Sequence, residues 1–336
     1  MIDGTNTTIQ HHVWMVLQVI GQTTVWPLLA YEGKETEAKY RDAEIPRIIK
    51  ELREAKSNVN IIFRQTSDLL SLWTLLGMKR GRKRAKDEMR SPCPFCTTAD
   101  LSTAGQARTA FDSALINITD PMQEIIPCLL HAKLRIADHR LRAIRARAKR
   151  TLREKGHTEA DALRLLDSLG CKQWSTSTRG IWCWQTAADA DRLEESEKEL
   201  AKWEFGEGVS PWPSVYAVLH HLERGISEDE DESFAAAAQA AGAGFMAVYG
   251  NGAIKIYEHI ILFHGLTLSQ RLVANGKRVP LGSLSNQRTE AEHSVNKRAM
   301  QWHTFKNGTR RNSATANLAV EELLVRSLMI KHLQTK

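Results

Sequence analysis

The sequence predicts an α/β fold interrupted by a large helical segment, and three observations point there. Apolar, β-branched stretches crowd the first third of the chain, and helical periodicity dominates residues 97–258. Two pairs of metal-type ligands then flank the helical stretch: Cys93-Pro94-Phe95-Cys96 before it, and His259-Ile260-Ile261-Leu262-Phe263-His264 after it. The domains expected are a first part of the core over 1–96, a helical insertion over 97–258, and a closing part over 259–336.

Residues 13–20 and 24–31 read as neighbouring antiparallel strands, with Gly21-Gln22-Thr23 between them as a turn. Asp3 is placed to end an earlier strand. In the charged stretch 35–57, Ile45, Ile48, Ile49 and Leu52 recur at helical spacing. Residues 59–63 form a short apolar strand. Ser67-Asp68 is a helix-start signal leading into residues 69–76, and Gly77 stops that helix. The run Lys79-Arg80-Gly81-Arg82-Lys83-Arg84-Ala85-Lys86 has two readings. It is a solvated loop or nuclear-import address, or it meets DNA phosphates through Arg82, Lys83 and Arg84.

The longest helix is expected over 121–155, with Ile125, Ile126, Leu129, Leu130, Leu134, Leu141 and Ile144 on one stripe. Its second half is crowded with cations, among them Arg142, Arg145, Arg147, Lys149 and Arg150. That exceeds what a solvated face needs and favours nucleic-acid contact over a plain amphipathic helix. Further helices are expected over 159–169, 188–203 and 213–224, then an acidic loop, Glu228-Asp229-Glu230-Asp231-Glu232, and an alanine-rich helix to 242. Trp174, Trp182 and Trp184 read as core of this part, with base stacking as the alternative. A helix carrying His259 and His264 reaches 274, another opens at Ser285 and runs to 305, and a last amphipathic one covers 314–332.

Composition narrows the class. Hydrophobic residues make up 42% and charged residues 25%, as in soluble globular proteins. No apolar run approaches a membrane span, and no signal peptide is visible. Five scattered cysteines, an odd number, argue for a reducing, intracellular setting rather than a disulfide scaffold. A net charge of +7 suits an anionic partner without naming it. The Cys93/Cys96 pair is a zinc half-site, because two thiolates on one short loop can reach one ion. His259 and His264 are the pair best placed to complete it, or else they are ordinary helix residues.

Three carboxylates fall into an order around these ligands: Asp3, then Asp68 shortly before the cysteine pair, then Glu290 shortly after the histidine pair. In this the chain resembles the catalytic cores of RNase H-like DDE transposases and recombinases, in particular the V(D)J recombinase catalytic subunit and Transib-type transposases. Ile61-Ile62-Phe63-Arg64-Gln65-Thr66-Ser67-Asp68 is similar to the family's second-aspartate region. Ser285-Asn286-Gln287-Arg288-Thr289-Glu290-Ala291-Glu292-His293 is similar to its glutamate helix, where an Asn or His follows the catalytic Glu by three positions; that register selects Glu290 over Glu292.

The resemblance implies an RNase H-like mixed sheet interrupted by a zinc-fastened helical insertion. It implies zinc on Cys93, Cys96, His259 and His264, and two Mg²⁺ or Mn²⁺ ions on Asp3, Asp68 and Glu290. The activity implied is DNA strand cleavage and transfer: water nicks one strand, and the freed 3′-hydroxyl attacks a second phosphodiester. The expected setting is the nucleus, with DNA and a second copy of the chain as partners and no membrane. Relatives carry a long N-terminal region ahead of the first aspartate, whereas only Met1 and Ile2 precede Asp3 here, so a truncated or decayed copy is expected. The alternative is a non-catalytic, zinc-stabilised DNA-binding or regulatory protein derived from a transposable element. A third reading is a zinc-stabilised helical interaction module.

Overall fold

In the computed structural model the residues described are 2–7, 10–18, 25–32, 37–42, 44–54, 64–67, 69–78, 92–111, 114–150, 156, 158–168, 175–177, 180–182, 187–206, 208–250, 252–274 and 276–284. The chain forms two compact units. One comprises Met1–Thr97, Gln106–Cys128 and Ser283–Lys336; the other comprises Thr98–Gly105 and Leu129–Gly282.

The first unit is α/β and is built on a five-stranded mixed sheet. Strands β1 (Ile2–Thr7), β2 (Gln10–Gln18) and β3 (Val25–Glu32) form an antiparallel meander. Its register shifts between Met15 and Val16, opposite Pro27, which has no N–H to give to a regular ladder; an edge strand with a bulge accommodates it. Helices α1 (Glu37–Asp42) and α2 (Ile45–Glu54) follow. They are two helices rather than the one that Ile45, Ile48, Ile49 and Leu52 suggest over 35–57, because Glu44 takes a left-handed backbone with φ of 55°.

Strand β4 (Gln65–Ser67) then lies parallel to β1, with Ser67 opposite Ile2. Helix α3 (Leu69–Leu75) buries Leu69, Leu72 and Leu75. It stops where the sequence signals, at Gly77, with φ of 66° and the Met78 N–H returning to the Trp73 carbonyl at 2.8 Å. The strand read at 59–63 and the helix-start signal at Asp68 lie outside the described residues.

Residues 121–128 depart from the expected long helix. Asp120 caps a single turn, α4 (Pro121–Glu124), through the Met122 N–H at 3.1 Å. The chain then extends as β5 (Ile125–Pro127), parallel to β4, giving the order β3-β2-β1-β4-β5. Ile125 and Ile126 are therefore buried in a strand and are not part of a helical stripe. Asp3 also differs from expectation. It is the second residue of β1 rather than its end, because Gly4 to Thr7 continue pairing with β2.

The second unit is mainly helical. Its longest helix, α5 (Leu129–Arg150), packs Ala137, Leu141 and Ile144 against α6 (Glu159–Ser168), α7 (Ala187–Glu195) and α8 (Glu197–Phe205). Between α6 and α7, strands β6 (Ser175–Ser177) and β7 (Gly180–Trp182) form a small hairpin. Thr158 caps α6 as its sequence suggests, exchanging bonds with Asp161.

Helices α9 (Trp212–Arg224) and α10 (Asp231–Tyr249) form a second core with Trp212, Leu219, Leu222, Phe234 and Phe245. The acidic run is structural here rather than a bare loop: Glu230 closes a capping box with Ser227, and Asp231 pairs with Arg278. One continuous helical segment follows: α11 (Ile256–His259), a π turn (Ile260–His264) and α12 (Gly265–Arg271). A hairpin of β8 (Val273–Ala274) and β9 (Lys277–Arg278) follows. Among the described residues, no helix is long and apolar enough to cross a membrane.

Candidate metal centre

Cys93 and Cys96 sit on a knuckle whose backbone is tied down from both sides. The strand after it pairs back through Thr97 N–H to Gln106 O at 3.0 Å and Arg108 N–H to Phe95 O at 2.9 Å. The Arg108 guanidinium also holds the carbonyls of Cys93, at 3.2 Å, and Cys96, at 3.1 Å. Inside the turn the Phe95 N–H points at Cys93 Sγ, 3.4 Å away, a bond that favours the thiolate. Both cysteines are fully buried thiols outside any disulfide.

His259 and His264 are also buried, and the π turn is what makes them a pair. At 3.6 residues per turn, side chains five positions apart on an α-helix diverge by roughly 140°. A π turn closes its hydrogen bonds from i to i+5, so such residues stack instead. Here the two Nε2 atoms lie 3.1 Å apart. The start of the segment is pinned by Glu258, which is buried, accepts the Lys255 N–H at 3.1 Å and bonds His139 Nδ1 at 2.7 Å.

One ligand atom from each of Cys93, Cys96, His259 and His264 falls within 4.8 Å of all the others. The chemistry of the set fits a soft-to-borderline dication. Burial pushes the Cys93 thiol strongly up, and the neighbouring Cys96 adds to it, so the pair would ionise only with a cation bound between them. His259 Nδ1 lies 2.9 Å from the Leu101 carbonyl, an acceptor only, so Nδ1 carries the proton and Nε2 presents its lone pair towards His264. Two histidine nitrogens on one tetrahedral zinc stand about 3.3 Å apart, close to the spacing found. The group can hold a metal such as zinc, and four protein ligands leave no open coordination position for chemistry.

Leu101 and Arg108 carry no sequence signal for this role: one acts through its carbonyl, and the other is an arginine in a loop. Asp3 is described only in its backbone, within β1. Asp68 and Glu290 lie outside the described residues, as do Arg82, Lys83 and Arg84.

The basic face of α5 is divided. Arg142 is exposed and pairs with Asp138 four residues earlier; Arg145 is half-buried. Arg147, expected to contact DNA, is instead turned inward, 3.2 Å from the buried Glu204 and stacked 4.6 Å over the Phe205 ring. Two further cations of the same helix serve the interior: Lys133 pairs with Asp191, and Arg140 is fully buried between Glu197 and Glu204. Lys149 and Arg150 end the helix, with side chains outside those described.

Compared with protein-family models the chain matches none, and no curated protein is significantly similar to it.

Proposed function

We propose that the protein is a DNA strand-cleaving and strand-transferring enzyme of the DDE transposase type, with an RNase H-like core stabilised by zinc on Cys93, Cys96, His259 and His264. The observation that carries this reading is the strand order. β1 lies between β2 and the parallel β4, and Ile2 faces Ser67. Asp3 and Asp68 are the next residues along the chain after that pair. Carboxylates that share divalent ions must lie close in space, and the pairing of Ile2 with Ser67, each one residue before an aspartate, supports that reading.

In this reading Asp3, Asp68 and Glu290 hold two Mg²⁺ or Mn²⁺ ions, hard cations suited to carboxylate oxygen. Bound as a pair, such ions activate the attacking oxygen and neutralise the leaving one at a phosphodiester. The chain's own part is positional. Asp3 belongs to β1, Asp68 follows β4 in sequence, and Glu290 belongs to a later segment. Zinc on Cys93, Cys96, His259 and His264, with all four positions filled by protein, would take no part in the reaction. DNA binding draws on exposed cations such as Arg142, and the setting is the nucleus, with a second copy of the chain as a further partner.

The test is nicking of supercoiled DNA in Mg²⁺ or Mn²⁺ by the parent and by an Asp68→Asn variant prepared alongside. The reading expects nicking by the parent alone. Equal nicking by both overturns the assignment of Asp68. Absence of nicking with salt-sensitive DNA binding retained overturns the enzyme reading in favour of the non-catalytic DNA-binding protein.

A further inference from the structure

We propose that Gly265 is the positioning residue of the metal centre, fixing the helix register at which the π turn delivers His264 to His259. This rests on the metal reading of the four-ligand group and not on the cleavage reading. Gly265 begins α12 immediately after His264 and has an ordinary helical backbone, φ −54° and ψ −45°. Nothing in its dihedrals calls for glycine, and alanine is the better helix former there. Space is what calls for it. A Cβ at this position would stand 3.0 Å and 3.2 Å from the two Leu222 methyls and 3.3 Å from Phe234 Cζ. Leu222 and Phe234 are each only 1% exposed, so a Cβ would press on side chains that are themselves packed in the core.

A π turn amounts to one residue more than an α-helix would use, so relaxing it to α rotates everything beyond it by roughly 100° relative to what precedes. Contacts at both ends of the turn oppose that relaxation. Upstream, Glu258 is bound to His139, and His259 to the Leu101 carbonyl. Downstream, Gly265 is seated against Leu222 and Phe234, where a Cβ would force those side chains to give by a few tenths of an ångström. With both ends set, the segment's extra residue has to be taken up as the wide turn, and His264 faces His259. The pair is thus preformed by packing.

The experiment replaces zinc with Co²⁺ in the full chain and records the ligand-field and thiolate charge-transfer bands, alongside zinc affinity by competition with a chelator. The variants are Gly265→Ala, the double variant Gly265→Ala/Leu222→Ala, and Gly242→Ala as control, where a Cβ meets nothing closer than Phe263 Cζ at 3.8 Å. The parent and the control are expected to show a tetrahedral spectrum with two sulfur and two nitrogen ligands. Gly265→Ala is expected to weaken zinc binding about 10–100-fold and to change the ligand-field bands as one nitrogen is lost. The double variant, with the space restored, should return to the parent spectrum.

Parent-like bands and affinity in Gly265→Ala overturn the proposal, as does a folded double variant with a changed spectrum. Should Gly265→Ala fail to fold, the double variant decides by the same two outcomes. A parent without Co²⁺ bands overturns the metal reading itself, and this proposal with it.

Discussion

Replacing Arg140 with leucine should destabilise the helical unit by about 3–5 kcal/mol at pH 7, the usual cost of removing one partner from a buried ion pair. The structure explains why the cost is large. The Arg140 guanidinium is fully buried and donates to both oxygens of Glu197, at 2.7 and 3.1 Å, and to Glu204, and both of these carboxylates are buried too. The remaining contacts are weaker: Ser210 donates to Glu197 at 2.9 Å, the Tyr249 hydroxyl to Glu204 at 3.2 Å, and Arg147 approaches Glu204 at 3.2 Å. Ser210 and Tyr249 satisfy single lone pairs and Arg147 brings one positive charge to Glu204, so the Glu197 carboxylate is left buried without a counter-ion.

In thermal unfolding followed by circular dichroism, that loss corresponds to a midpoint lowered by about 6–20 °C for a unit of this size. The deficit should shrink as pH falls. Burial already raises the Glu197 carboxyl above its ordinary range, with Arg140 opposing the shift, and removing Arg140 raises it further. A carboxyl whose folded-state value is raised adds stability below its unfolded value and loses it as pH rises through the raised value. The variant should therefore recover towards the parent between pH 7 and pH 5. A loss below about 1 kcal/mol, or one independent of pH, would refute the view that Arg140 is an interior counter-ion.

Three further outcomes are expected. The Arg224 guanidinium, with help from Ser227, holds the half-buried Glu230 carboxyl down at about 2, from an ordinary 4.5. Its contribution is present above 4.5 and lost as pH falls towards 2, so Glu230→Gln should flatten that part of the acid-unfolding profile; an unchanged profile would count against the cap. Arg142→Gln should lower the salt slope of DNA binding by about one, whereas Arg147→Gln should lower stability and leave the slope alone. Equal slopes for the two variants would contradict the division of α5 into outward and inward cations. Glu258→Ala should raise amide exchange in residues 255–259, because it removes the cap on the Lys255 N–H and the bond to His139; unchanged exchange there would contradict this.

Much of the helical part is legible locally because its signals are local. The stop at Gly77, the cap at Thr158 and the helix over Trp212–Arg224 each follow from a few adjacent residues. Ile125 and Ile126 are not legible in this way. A short apolar run suits strand or helix equally, and pairing with Gln65 and Thr66 decides it from far away in sequence. Charge counting makes Arg147 look like a DNA contact, since its partner Glu204 belongs to another helix.

At the metal centre the two ligand pairs are visible as spacing. The spacing of His259 and His264 works against them on an α-helix, and only the π turn, held by Gly265 and Glu258, brings them together. The Leu101 carbonyl leaves no trace in sequence at all.

The most direct test of the account is X-ray absorption at the zinc edge on protein purified without added metal, together with the metal content per chain. The account predicts one zinc per chain, with two sulfurs at about 2.3 Å and two nitrogens at about 2.0–2.1 Å. Protein that folds without zinc, or zinc with only oxygen and nitrogen neighbours, would contradict it.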